Sequence, residues 1–386
     1  MNIKLNASIA VVSLAALASL GAVAPASAAV SVIAPISTVG SPANVGWGYG
    51  VSVSNDGALA ATAFDTGGVT IYEVATGAQH DFTLSDLGNP EHVDGIDFSA
   101  DDTKLFVATS NSTIAVINIA DFTVGSDITL PFRPIAIEVS PDGNDLYATA
   151  SGAYEIYKID PNSGATNATG TRSYGARIMS MCISSDGATL FVPARENVDV
   201  FNTADMTLTT SWSLSGGIAR SCEMDNDGYL YLGSLNASTV MKLAQDGSVY
   251  ASANFAADGY QIFSAVPSCN ALYLVDNANQ ATIPVINLRT FDPQSIITPD
   301  ETSGGDGFYG YNGDRSPDGS VVAIAGKNAT DGLVVISSPE CAPPAADASL
   351  PNTGADSTSA GISLAVAGGM LLAGVIALIA IRRRTA

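Results

Sequence analysis

Ile135-Ala136-Ile137-Glu138-Val139-Ser140-Pro141-Asp142-Gly143-Asn144-Asp145-Leu146-Tyr147-Ala148-Thr149 is a strand, a tight turn and a second strand in one short stretch. Apolar and β-branched residues alternate on both sides of the turn, as strands require. Asp142-Gly143 supplies the positive φ that reverses the chain at little steric cost. A third strand, Glu155-Ile156-Tyr157-Lys158-Ile159, follows, and Asp160-Pro161-Asn162-Ser163-Gly164 turns the chain again.

The same grammar recurs along the chain. The other turns are Ser54-Asn55-Asp56-Gly57, Ser99-Ala100-Asp101-Asp102, Ser184-Ser185-Asp186-Gly187, Asp225-Asn226-Asp227-Gly228, a worn Pro267-Ser268-Cys269-Asn270, and Ser316-Pro317-Asp318-Gly319. With Cys269 standing for the worn Asp, successive steps are 45, 41, 44, 41, 42 and 49 residues. A period in this range, with several short strands per unit, points to propeller blades. Nothing between Ala29 and Cys341 shows sustained helical periodicity. The pattern Ser-Pro-Asp-Gly, then Leu-Tyr-Ala-Thr, then a strand ending in Ile-Asp resembles the YVTN-type β-propeller repeat. That resemblance implies a fold and leaves the activity open, because propellers host many functions.

Seven turns predict an all-β, seven-bladed propeller over residues 29–341. The seventh unit has strands near Asn312–Ser316, Val321–Ala325 and Leu333–Ser337, then stops at Pro339 and Cys341 without an outermost strand. Residues 31–39 read as an unattached outer strand and are expected to complete that blade, which would hide an open edge. Pro35 is tolerated there, since an outermost strand has one unpaired side.

Both ends carry processing signals. Lys4, an apolar run from Ile9 to Val23 and Ala26-Ser27-Ala28 make residues 1–28 a signal peptide by pattern. At the other end stand Leu350-Pro351-Asn352-Thr353-Gly354, an uncharged run from Ile362 to Ile381, and Arg382-Arg383-Arg384. This order resembles the LPxTG cell-wall sorting signal of Gram-positive surface proteins. The run is about long enough to cross a bilayer core, and the arginines would stay on the cytoplasmic side. The resemblance implies that sortase cuts between Thr353 and Gly354 and joins Thr353 covalently to peptidoglycan. Residues 355–386, the transmembrane helix with its Arg tail, would then be removed, and residues 342–349 form a Pro/Ala linker. A secreted, peptidoglycan-anchored protein is the expectation.

Without Lys4, Asp356 and the three terminal arginines, the mature part has 11 basic and 36 acidic residues, a formal charge of −25. Such a surface excludes nucleic acid as a partner, because phosphate binding needs basic patches. Cys182, Cys222, Cys269 and Cys341 form no zinc spacing, and export favours disulfides. Cys182 and Cys222 fall in the first strands of neighbouring blades, whereas Cys269 and Cys341 fall on the same face of adjacent blades. The expected pairs are therefore Cys182–Cys222 and Cys269–Cys341. No metal site and no cofactor are expected.

Nine residues before each turn Asp stand Trp47, His92, Arg133, Arg177, Ile218, Tyr260 and Tyr309, with Arg220 two residues beyond the odd one. This offset precedes the innermost strand, so the ring should surround one mouth of the central channel. Forked arginines would clamp a carboxylate or phosphate, and aromatic faces would stack on a sugar. His92 is the one general acid–base candidate in the ring. Packing between blades explains the same residues, with arginines paired to carboxylates such as Asp94 or Glu223. No Gly-x-Ser-x-Gly elbow is present, and no catalytic residue is assigned. The expected function is a wall-anchored binding or adhesion module for an extracellular glycan or protein. The alternative is a wall-tethered enzyme, lactonase-like or another hydrolase, working at the channel mouth.

Overall fold

The computed structural model describes residues 31–36, 48–174, 180–214, 217–234, 238–255, 261–276, 283–288, 290–297, 309–327 and 333–337. The expected signal peptide, linker, sorting motif and transmembrane run fall outside these residues. The described part is all-β and folds as seven antiparallel sheets in a ring, a seven-bladed propeller. The first strands of blades one to seven are Gly48–Val53, Val93–Phe98, Pro134–Val139, Cys182–Ile183, Cys222–Met224, Ile262–Pro267 and Tyr309–Arg315.

Burial falls from the axis outward. First strands such as Val93–Phe98 and second strands such as Leu59–Phe64 are almost wholly buried. Fourth strands such as Thr166–Thr171 and Thr207–Ser213 are mostly exposed. Each pair of neighbouring blades shares one apolar cluster, including blades seven and one, where Val51, Val53 and Tyr72 meet Ala323, Leu333 and Val335. Close approach near the axis demands small residues. A Cβ on Gly50 would lie 2.4 Å from the Asp94 carbonyl oxygen, and one on Gly95 would lie 2.5 Å from that of Ile135.

The ring is closed by the chain's own beginning. Ser31–Ile36 pairs antiparallel with Leu333–Ser337 as the outer strand of blade seven. Its register shifts between Ile33 and Ile36, where Pro35 has no N–H to give to a ladder.

The Ser-x-Asp-Gly turn is built by the serine. In blade three, Ser140 Oγ donates to Asp142 Oδ1 (2.7 Å) and accepts the Asp145 N–H (2.9 Å), while Gly143, at φ 71°, donates its N–H to the Ser140 carbonyl (2.8 Å). In blade five Asp225 takes the serine's place and accepts the N–H groups of Asp227 and Tyr229. Blade six departs from the expected spacing. Its turn is shortened, Ser268 donating its N–H to the Ala271 carbonyl, and Pro267 pairs with Leu272. The serine of that turn is therefore Ser268, one residue later than a count from Cys269 places it.

The Cys182–Cys222 disulfide joins the first strands of blades four and five, with S–S 2.04 Å and Cα–Cα 5.8 Å. Cys269 is disulfide-bonded as well; Cys341, its expected partner, lies outside the described residues.

Candidate functional site

Alternating strands give the propeller two unlike faces. The turns between first and second strands and between third and fourth strands lie on one face. The hairpins between second and third strands, and the crossovers into each new blade, lie on the other.

The positions nine residues before the turn Asp are equivalent in blades two and three. The His92 carbonyl accepts the Ser110 N–H at 3.0 Å, and the Arg133 carbonyl accepts the Ser151 N–H at 2.9 Å. Both residues therefore stand at the crossover-face mouth. Arg133 is only partly exposed, and its Nη2 donates to Asp94 Oδ2 at 2.7 Å. Asp94 is buried, so at least one arginine of the expected ring is tied to the inter-blade carboxylate that the packing explanation names. His92 is half-buried, and its imidazole has no hydrogen-bond partner among the described residues. Trp47, Arg177 and Tyr260 lie outside the described residues. Tyr309 begins the first strand of blade seven, with only its backbone described.

A second cluster on the crossover face was not read from the sequence. Arg195, in the hairpin of blade four, donates from Nη1 to the Tyr174 hydroxyl (2.7 Å) and lies over the Tyr174 ring at 5.3 Å. Arg195 sits at φ 68°, a left-handed conformation that disfavours residues with a Cβ by about 1–2 kcal/mol. Its carbonyl accepts the Ala219 N–H at 2.9 Å, which brings the hairpin beside Arg220. Tyr154 and Tyr174 are 50% and 40% exposed, and Tyr250, beside Lys242 on the turn side, is 65% exposed. Below them Arg172 is buried, and its Nη2 donates to the Ala153 carbonyl at 2.5 Å. Arg195 lies too far from its turn for the offset that found Arg133, and only the fold makes the two neighbours of one face.

The channel itself opens at its other half into a cavity of about 230 Å³, lined from blades one to five and seven. Four carboxylates stand on its wall: Asp97, Glu138, Glu223 and Asp314. All four lie four residues before their turn Asp, and in blades two and three this is the one half-exposed position in an otherwise buried strand. Two of them staple blades together. Asp97 accepts the Val139 N–H (2.6 Å) and the Ser52 hydroxyl (3.0 Å), and Asp314 accepts the Val53 N–H (2.7 Å). Burial and the neighbouring Asp314 push Asp97 up to about 7. Burial pushes Asp314 up to about 6, against hydrogen bonds from Val53 and Arg315. Burial first, then the other ring carboxylates, holds Glu138 and Glu223 well above the ordinary range.

Arg315 is the cation of this wall. It occupies a position that is apolar in the other blades and reaches past shortened blade six to blade five. Its Nη1 donates to the Met224 carbonyl at 3.0 Å and its Nη2 to Asn226 Oδ1 at 2.6 Å. The Ser316 and Pro317 carbonyls take its remaining bonds. Among the described residues, no group of three or more His, Cys, Asp or Glu converges closely enough to hold a bare metal ion.

Residues 342–385 match the family described as the LPXTG cell wall anchor motif. The chain is thus a secreted surface protein anchored in the cell wall, and the motif implies sortase processing and covalent attachment to peptidoglycan. No curated protein matches the sequence. Among solved structures, the β-propeller domain of Cps50 (Swd1) from Myceliophteria thermophila is similar at TM-score 0.62 and 10% identity, over 80% of this chain and 99% of that one. A chain of the mitotic checkpoint complex is similar at TM-score 0.60 and 13% identity, over 80% of this chain and 93% of its own. At such identities the likeness is one of fold alone.

Proposed function

We propose that this wall-anchored propeller is a binding module that meets an extracellular glycan or protein with its crossover face. One observation carries this reading: of the five arginines among the described residues, four (Arg133, Arg172, Arg195 and Arg220) stand at the crossover-face end of blades three to five. The opposite face carries the acidic turns with Asp101, Asp142, Asp186 and Asp318. Carboxylates such as Asp65, Glu91 and Glu196 share the crossover face, and Lys104, Lys158 and Lys242 lie toward the turns, so it is the forked donors of Arg195 and Arg220, rather than net charge, that would receive carboxylate- or sulfate-bearing ligands. Tyr154 and Tyr174 add exposed aromatic faces that can stack on sugar rings. The YVTN repeat type, the signal peptide 1–28 and the mouth ring of Trp47, His92, Arg133, Arg177, Arg220, Tyr260 and Tyr309 belong to the same proposal. Residues 342–349, fully stretched, reach about 25 Å, which would seat the propeller low in the wall and favour ligands that diffuse into it.

The enzyme reading, a wall-tethered lactonase or other hydrolase, would rest on His92. The same protein preparation separates the two. An array of acidic and neutral glycans and glycoproteins is expected to yield a ligand, and Arg195→Ala with Arg220→Ala to weaken it by about tenfold or more while Tm stays unchanged. Turnover in a lactone and ester panel, abolished by His92→Ala, would favour the enzyme. Loss of Tm in the arginine variant, with no ligand found, would assign those residues to packing.

A further inference from the structure

The turn-side cavity has a surplus of acceptors. Glu138 and Glu223 open onto it and have no hydrogen-bond partner among the described residues. Asn312 lines the same wall and is 3% exposed. Its Nδ2 donates to the Tyr49 carbonyl at 3.3 Å, which leaves its buried Oδ1 without a donor. The buried donors nearest these acceptors are already engaged, and the Ser185 hydroxyl and Asn226 amide, unengaged among the described residues, belong to exposed residues at the rim. The Arg315 guanidinium is held by Met224, Asn226, Ser316 and Pro317, Ser52 Oγ gives its proton to Asp97, and Ser180 Oγ donates to the Cys222 carbonyl. Buried polar groups are almost always satisfied, and an orphan acceptor beside ionisable carboxylates costs free energy until a donor or a positive charge arrives.

We propose that this cavity is a site for a divalent hard cation, held largely through its water shell by Glu138 and Glu223, with Asp97 and Asp314 supplying longer-range charge. The dimensions fit that mode. The wall carboxylates do not converge tightly enough to strip an ion, yet about 230 Å³ leaves room for several waters, one of which occupies about 30 Å³ in the liquid. Hard cations take oxygen ligands and often keep part of their hydration. Neutralising the ring would also relieve repulsion among carboxylates contributed by blades two, three, five and seven, so the ion would act as an axial pin for the propeller.

The test is thermal unfolding of chelator-treated full-length protein in detergent, with CaCl₂, MgCl₂ and NaCl at matched ionic strength. A saturable rise in Tm of at least about 2 °C with calcium or magnesium beyond NaCl is expected. Glu138→Gln with Glu223→Gln should abolish that rise while folding with an equal or higher Tm in chelator, because the substitution removes repulsion. Calorimetric titration of the parent with CaCl₂ decides the matter should the variant not fold, with one saturable site per chain expected. No divalent-specific shift and no titratable heat, or a shift retained in the double variant, would overturn the proposal.

Discussion

Asp102 shows how much a single position can hold. In most of the other turns its place is glycine at positive φ; here an aspartate accepts φ 55°. Its carboxylate takes the backbone N–H groups of Asn55 (2.8 Å) and Asp56 (3.0 Å) and the Asn55 side-chain amide (3.0 Å), all from blade one. Asp102→Gly would relax the backbone and lose the clamp between two turns. A net destabilisation of about 1–2 kcal/mol is expected from urea unfolding; an unchanged midpoint would mean that the clamp adds nothing. Arg315 is the larger case. Its burial lowers its own pKa, while Glu223, Asp314, Asp225 and Asp318 pull it back up. Arg315→Ala removes the positive charge that faces Glu223 and Asp314 and leaves the Met224 carbonyl and Asn226 without their donor, and a loss of about 1–3 kcal/mol is expected, read by the same unfolding curve.

At the scale of strands and blades, the Cys182–Cys222 bond spans 40 residues, so Cys182→Ser with Cys222→Ser should cost about 2–4 kcal/mol and leave the circular dichroism of the folded chain unaltered. Removing residues 31–36 would bare the Leu333–Ser337 edge, and concentration-dependent association is expected by light scattering. How much of this was legible follows from the same elements. The Ser-Pro-Asp-Gly turn announces its blade because the serine hydroxyl, the aspartate and the glycine each perform a local task that no distant residue alters. Glu155–Ile159 and Leu333–Ser337 appear with the bounds their alternation suggests. The carboxylate ring was equally present in the sequence, at Asp97, Glu138, Glu223 and Asp314, but each reads as one polar residue in an apolar strand until the axis gathers four of them. The Tyr174–Arg195 pair was not legible at all, because two loops of different blades meet only in the closed ring. The shortened sixth turn misled the count by one residue because its worn sequence hides which residue caps the strand.

For the molecule as a whole, charge sets the response to pH. Asp97 and Asp314 titrate above their unfolded values, so the stability linked to them is fully present below about pH 4 and is lost as pH rises through about 6 to 7. The groups facing them are Ser52, Glu138, Glu223 and Arg315, with Asp225 beyond, paired to Lys242. The turn carboxylates act in the opposite sense. Serine and threonine hydroxyls lower Asp101, Asp142, Asp186, Asp205 and Asp246, so their contribution is present above the ordinary carboxylate range and lost as pH falls through it. A maximum in Tm between about pH 4 and 6 is expected, with the alkaline decline flattened by calcium or magnesium; a maximum above pH 7 would contradict the assignment of the channel ring.

The most direct measurement is ligand capture by whole cells that display either the parent chain or the Arg195→Ala, Arg220→Ala variant on their walls. Surface amount is read by antibody and capture by flow cytometry. Equal display with capture lost in the variant is the expected result. Equal display with capture undiminished would remove the crossover face from the function.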